Sequence, residues 1–158
     1  MICQQILDFA LRSSCSIATA ESCTAGMISA ALTDLPGSSA VFDRGFVTYS
    51  NAAKMQMLGV LPATLEAHGA VSEQVAREMA EGALRHSAAQ IAVSVTGIAG
   101  PGGSEFKPEG RVCFGLARRG QPCVTETVEF GARGRAQVRL ATRDHALQLI
   151  LRALQALP

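Results

Sequence analysis

The run Ile91-Ala92-Val93-Ser94-Val95 carries no charge and does not alternate between apolar and charged positions, which is the pattern of a strand covered on both faces. A strand of that kind demands one layer above it and one below. Residues 2–13 place Ile6, Leu7, Ala10 and Leu11 at helical spacing, and residues 16–20 read as a short buried strand. A helix from about residue 24 repeats Met27, Ile28, Ala31, Leu32 and Leu35 at intervals of three and four, until Pro36-Gly37 stops it. Residues 44–50 read as a strand carrying Phe46, Val47 and Tyr49. Two short helices follow, 51–58 closed by Gly59 and 62–68 closed by Gly69. Ser72 can N-cap a longer helix to about residue 87, with Val75, Met79, Ala83 and Leu84 facing inward. Residues 111–118 and 123–130 read as a hairpin joined at 119–122, with Val124, Val128 and Phe130 on one face. From about residue 135, Leu140, Leu147, Ile150, Leu151 and Leu154 define a last amphipathic helix. Helices alternating with strands, then a hairpin, predict an α/β protein: a three-layer α/β/α sandwich with a mixed sheet.

Composition narrows the core. The 158 residues are sized for a single domain spanning 1–158 without a linker, and 48% of them are hydrophobic. Only 4% are aromatic and none is Trp, so the core must be built from close-packed Ala, Val, Leu, Ile and Met. Fourteen basic residues against thirteen acidic ones give no electrostatic reason to expect nucleic acid or an anionic membrane as partner, and point to a small molecule instead. The first residues lack a basic start and an apolar run, and no stretch of about 18 apolar residues occurs, so a cytoplasmic location is expected. The five cysteines are odd in number and show no C-x-x-C pairing. Reduced, mostly buried thiols are therefore expected, with neither a disulfide framework nor a zinc site.

The run Thr19-Ala20-Glu21-Ser22-Cys23-Thr24-Ala25-Gly26 sets a hydroxyl and a thiol where a strand meets a helix. An emerging helix offers unpaired N–H groups and the positive end of its dipole, both able to stabilise negative charge developing on a bound substrate. Taken alone, Ser22 also reads as a plain N-cap or turn residue. A catalytic serine needs a base, and the three histidines have poor settings. His68 ends a short helix beside Gly69, His86 follows Arg85 late in a helix, and His145 follows Asp144, so each reads as solvated or capping. A Ser–Lys pair is the other economical solution, because burial can bring an amine from its usual ~10.4 toward neutrality. Only Lys54 and Lys107 exist. Lys54, in Tyr49-Ser50-Asn51-Ala52-Ala53-Lys54, has small neighbours, although a solvated lysine on a polar helix face is the plainer reading. The glycine-rich segment 96–103 can cradle a phosphate or sugar, with the Thr96 hydroxyl beside it, or simply connect two elements. It matches neither G-x-G-x-x-G nor the P-loop. Arg135, Arg139 and Arg143 recur every four residues, giving either a phosphate-binding stripe or a solvated face.

Five motifs in order along the chain carry a family resemblance: Ala20-Glu21-Ser22-Cys23-Thr24-Ala25-Gly26; Gly45-Phe46-Val47-Thr48-Tyr49-Ser50-Asn51 with Lys54; Gly69-Ala70-Val71-Ser72; Thr96-Gly97-Ile98-Ala99-Gly100-Pro101; and Lys107-Pro108-Glu109-Gly110. Together they resemble the CinA C-terminal domain family. The resemblance implies a metal-independent, cofactor-free amidohydrolase that converts nicotinamide mononucleotide and water to nicotinate mononucleotide and ammonia. It further implies Ser22 as nucleophile, Lys54 as its general base and Tyr49 as an aid to proton movement or positioning. Thr96, Gly97 and Gly100 fall in the substrate-contact segment, and Arg139 matches the arginine of the last helix expected to engage the nucleotide. A pyridine mononucleotide is then the small-molecule partner, and a homo-oligomer is favoured. The family commonly has Gly-Gly after Ser-Cys-Thr where this chain has Ala25-Gly26, so a methyl group is expected to weaken binding if that glycine serves close substrate approach. The other readings are a non-catalytic nucleotide- or partner-binding domain, and catalysis by a Cys23 thiolate at the helix start.

Overall fold

The structure is a computed structural model and describes residues 1–104 and 106–158. Its elements in chain order are α1 (Ile2–Arg12), β1 (Ile17–Glu21), α2 (Met27–Thr33), a 3-10 turn (Ser38–Ala40), β2 (Phe42–Val47), α3 (Asn51–Leu58) and α4 (Pro62–His68). They continue with α5 (Glu73–Arg85), β3 (Ile91–Gly97), β4 (Arg111–Arg118), β5 (Val124–Glu129) and α6 (Arg135–Gln155). The sheet order is β2-β1-β3-β4-β5, and the sheet is mixed: β1 runs parallel to both β2 and β3, and the β4 and β5 pairings are antiparallel. The α/β sandwich expected from the sequence is the fold observed.

Both faces of the sheet are covered, by different chemistry. On one side Ile6 and Leu7 of α1, Ile28 of α2, and Val138, Leu147 and Ile150 of α6 pack on Ile17, Val93 and Phe114. On the other, Val75, Met79, Ala80 and Ala83 of α5 and Leu58 of α3 meet Ala18, Ala20, Ala92 and Ala117. The alternation of Ile17 with Ala18 and Ala20 follows from successive side chains pointing to opposite faces of a strand. An alanine-lined face brings α5 against the sheet itself, and the Ser94 hydroxyl donates to the Ala76 carbonyl across that contact. The scarcity of aromatic residues thus has a structural use. It permits close approach on one side of the sheet.

Two local details differ from the pattern reading. The second helix begins at Met27 rather than near residue 24, because Ala25 (φ +47°) and Gly26 (φ +104°) are left-handed and no helix can pass through them. Strand β2 ends at Val47, so Tyr49 lies on the link to α3 rather than on the strand.

This topology positions the site. In the register of the three parallel strands, Glu21 stands opposite Val47 on one side and Val95 on the other. Ser22, Thr48 and Thr96 therefore emerge together at the carboxyl ends of β1, β2 and β3, the edge where open α/β sheets bind ligands. The junction is stitched: the Ser22 amide donates to the Val95 carbonyl (3.2 Å) and the Thr48 amide to the Glu21 carbonyl (2.8 Å).

Candidate active site

Lys54 reaches this junction from α3. The helix starts cleanly because the Ser50 hydroxyl accepts from the Ala53 amide at 3.0 Å, a side-chain N-cap. Lys54 and Leu58, four residues apart, share the face that α3 buries. The lysine is 1% exposed, so the solvated reading is overturned, and its amine donates to Ser22 Oγ at 2.8 Å and to the Thr48 carbonyl at 2.8 Å. A serine hydroxyl and a lysine amine thirty-two positions apart thus meet inside the protein. Neither spacing nor periodicity announces that contact.

The residues before and after Ser22 are both buried. Glu21 is 0% exposed. Its Oε1 accepts from Thr24 Oγ1 (2.6 Å), the Gly26 amide (3.1 Å) and the Ile28 amide (3.0 Å), and its Oε2 from the Ser29 amide (2.9 Å) and hydroxyl (2.7 Å). The helix N–H groups expected to face a substrate are therefore consumed by this carboxylate, which caps α2 where Gly26 offers no side chain. In the sequence Glu21 is one residue of the Ala20–Gly26 motif, with no role of its own. The signal that could have found it was a lone carboxylate closing a buried strand just before a helix.

Cys23 is 4% exposed, and burial pushes its thiol up from 9.0 to about 11, with a backbone hydrogen bond and then Lys54 and Arg139 pulling the other way. A thiolate nucleophile is disfavoured there, and the residue packs in the core. Because folding raises this value, the stabilisation is complete below pH ~9 and is lost as pH rises through about 11, an effect of ~2 kcal/mol by pH 11. Denaturant unfolding at pH 8 and pH 11 in reductant checks this. Cys23→Ala should flatten the alkaline loss by about that amount, and an unchanged slope would contradict it.

Ser22, Cys23 and Lys54 line a cavity of about 320 Å³ together with Tyr49, Arg135 and residues 96–104. Thr96 and Gly97 are the last residues of β3. The Thr96 hydroxyl donates to the Ala70 carbonyl (2.9 Å), so it ties the 69–71 segment into the wall. Gly100 has φ +93°, a left-handed conformation that requires glycine, and the Glu109 side chain lies so close that a Cβ there, 2.5 Å from its carboxylate, would displace it. Tyr49 is 56% exposed, and its hydroxyl accepts from Arg135, whose other terminal nitrogen donates to the Gly100 carbonyl; both distances are 2.6 Å.

The arginine stripe of α6 divides into three jobs. Arg135 stands in the cavity wall. Arg139 lies outside that lining and spends donors on the Cys23 (3.0 Å) and Thr24 (3.3 Å) carbonyls, bracing the serine loop from beneath. Arg143 pairs with Asp144 at the surface. None of the histidines lines the cavity: His86 bonds the Gly82 carbonyl, and His145 pairs with Glu126 and packs 4.5 Å from the Phe114 ring. His145 is thus lodged in an aromatic cluster rather than solvated. The second lysine, Lys107, is spent on the His68 and Val71 carbonyls.

Ala25 is exposed and does not line the cavity. Its methyl group does not obstruct a ligand there, and its cost is conformational, since φ is +47°. Ala25→Gly should leave KM within about twofold and raise stability by up to ~1 kcal/mol, the left-handed strain removed less the chain entropy gained by the unfolded state. A large fall in KM would restore a role in substrate approach.

A buried Ser–Lys contact at the carboxyl edge of parallel strands, opening into a cavity walled by a glycine-rich loop, marks the candidate site of an α/β domain. The CinA C-terminal domain model matches residues 2–154, and the chain belongs to that family. It is 54% identical to a CinA-like protein of Chlorobium phaeobacteroides over 150 residues, 92% of this chain but 36% of that protein. It is also 55% identical to nicotinamide-nucleotide amidohydrolase PncC of Enterobacter agglomerans over 137 residues, 86% of this chain and 83% of that one. The crystal structure of competence/damage inducible protein CihA from Agrobacterium tumefaciens superposes with a TM-score of 0.93 at 48% identity, covering 98% of this chain and 93% of that one. The chain therefore spans about a third of one of these relatives and most of the other two.

Proposed function

We propose that this protein is a nicotinamide-nucleotide amidohydrolase that releases ammonia from nicotinamide mononucleotide through a Ser22 acyl-enzyme. The observation that carries the reading is the buried 2.8 Å contact between Lys54 Nζ and Ser22 Oγ at the cavity, and the similarity to the PncC amidohydrolase supports it. In this reading the Lys54 amine is unprotonated before attack and takes the Ser22 proton as Oγ attacks the carboxamide carbon. The resulting ammonium returns that proton to the departing nitrogen as the C–N bond breaks, and ammonia leaves. Water, deprotonated by the same amine, then attacks the acyl carbon, and Ser22 leaves as the alcohol. The Thr48 carbonyl holds the amine on Ser22 throughout.

Thr96, Gly97 and Gly100 form the wall against which the nucleotide lies in this reading. Arg135, rather than Arg139, is the guanidinium that meets it, because Arg135 lines the cavity and Arg139 is committed to the serine loop. Tyr49 acts by positioning Arg135 through its hydroxyl.

The test is ammonia release from nicotinamide mononucleotide by the purified protein, with Ser22→Ala as control. Turnover should fall by at least ~10³-fold in the variant, as expected when a nucleophile is removed. No release above that control sinks the amidase reading, and binding of the nucleotide without turnover would establish a binding domain instead.

A further inference from the structure

We propose that Glu21 is a positioning residue for Ser22, its buried carboxylate setting the geometry of the loop that presents the hydroxyl; this rests on the amidohydrolase reading above. All five contacts to the carboxylate come from donors, and they span residues 24–29, bracketing the left-handed pair Ala25-Gly26. The loop thus folds around an acceptor, while the Arg139 guanidinium holds its outer carbonyls at Cys23 and Thr24. An anion inside and a cation outside fix both kinds of backbone group. The Glu21 carbonyl also receives the Thr48 amide, and the Thr48 carbonyl receives the Lys54 amine. Glu21 therefore joins the two groups that Lys54 touches: its side chain orders the Ser22 loop, and its backbone anchors Thr48.

A neutral amide cannot replace it. Glutamine has one acceptor oxygen, and its NH₂ would point donors at amides or at the Ser29 hydroxyl, leaving buried N–H groups unpaired. The loop must then move, and displacement of a nucleophile by a fraction of an ångström is felt in the chemical step far more than in binding.

The experiment compares wild type, Glu21→Gln and Ser29→Ala by steady-state ammonia release and by amide hydrogen exchange. Glu21→Gln should lower kcat by ~10–100-fold with KM within about threefold, the signature of a group that acts on attack geometry. The amides of Gly26, Ile28 and Ser29 should exchange at least ~10-fold faster, while Val93 and Val95 in β3 stay protected. Ser29→Ala removes one hydrogen bond to the carboxylate, together with the hydroxyl contact to Thr19, and serves if Glu21→Gln does not fold; it should lower kcat by ~2–10-fold, again with KM held. Wild-type kcat per folded molecule in either soluble variant, or a kcat loss matched by an equal rise in KM, overturns the proposal. If wild type itself releases no ammonia, the amidase reading fails separately, and unchanged exchange at Gly26, Ile28 and Ser29 then overturns the positioning role on its own.

Discussion

Lys54→Met should lose ~10²–10⁴-fold in kcat while KM stays within a few-fold, the size and pattern expected when a general base is removed. Methionine keeps an unbranched apolar stem of similar length on the buried face that α3 shares with Leu58, so the packing is retained while the amine is lost. Ser22 Oγ then has no base at 2.8 Å, and the Thr48 carbonyl loses its donor. Lys54→Arg should not restore the rate. A guanidinium stays protonated at any working pH and cannot accept the serine proton, whatever charge it preserves. Steady-state kinetics on both variants, with thermal unfolding to confirm folding, decide the point. Activity within ~10-fold of wild type in Lys54→Met would remove the lysine from the base role.

Gly82→Ala should unfold the protein at a temperature lower by roughly 5–15 °C. In an unconstrained helix the same change gains ~1 kcal/mol, because alanine is the better helix former. Here a Cβ at residue 82 would sit 2.0 Å from the Leu58 carbonyl oxygen and 2.9 Å from its carbon. Those are backbone atoms at the end of α3, where the Arg85 guanidinium also donates to the same oxygen at 3.1 Å. No rotamer relieves the overlap, so α3 and α5 must part, at a net cost of about 2–4 kcal/mol, which at 2–4 °C per kcal/mol for a chain of this length gives the expected shift. Parting the helices also moves Lys54, one turn back from Leu58, so kcat should fall in the folded fraction. A melting temperature at or above that of wild type would show that the contact yields easily.

The first of these predictions depends on a contact that local pattern could not supply. Lys54 on its own fits either a solvated helix face or a Ser–Lys pair, and the family motifs are what favour its pairing with Ser22. The structure explains why that face is buried: β1 and β2 end in register beside Ser22 and Thr48, and α3, packed against α5 through Leu58, carries the Lys54 amine to both. Ser22 was legible as a residue between strand and helix, and the glycine-rich segment as a loop beside a ligand. Both do line the cavity. Tyr49 and Arg139 were named from motifs, but their hydrogen bonds lead to Arg135 and to the serine loop, and these partners lie 86 and more than a hundred positions away in the chain.

The sequence by itself determined the layers. Apolar residues recurring at helical spacing, an uncharged central strand, and glycine or proline at the breaks are local properties, and they sufficed for an α/β sandwich whose core is built from small side chains. Tertiary structure alone decided which polar groups meet. Glu21 turned from a motif letter into the carboxylate holding the Ser22 loop, and Lys54 from a plausible surface cation into a buried amine on the serine hydroxyl. The physical reason is range. Periodicity reports which face of an element is apolar, whereas a hydrogen bond between side chains depends on strand register and helix placement that the whole chain must settle together.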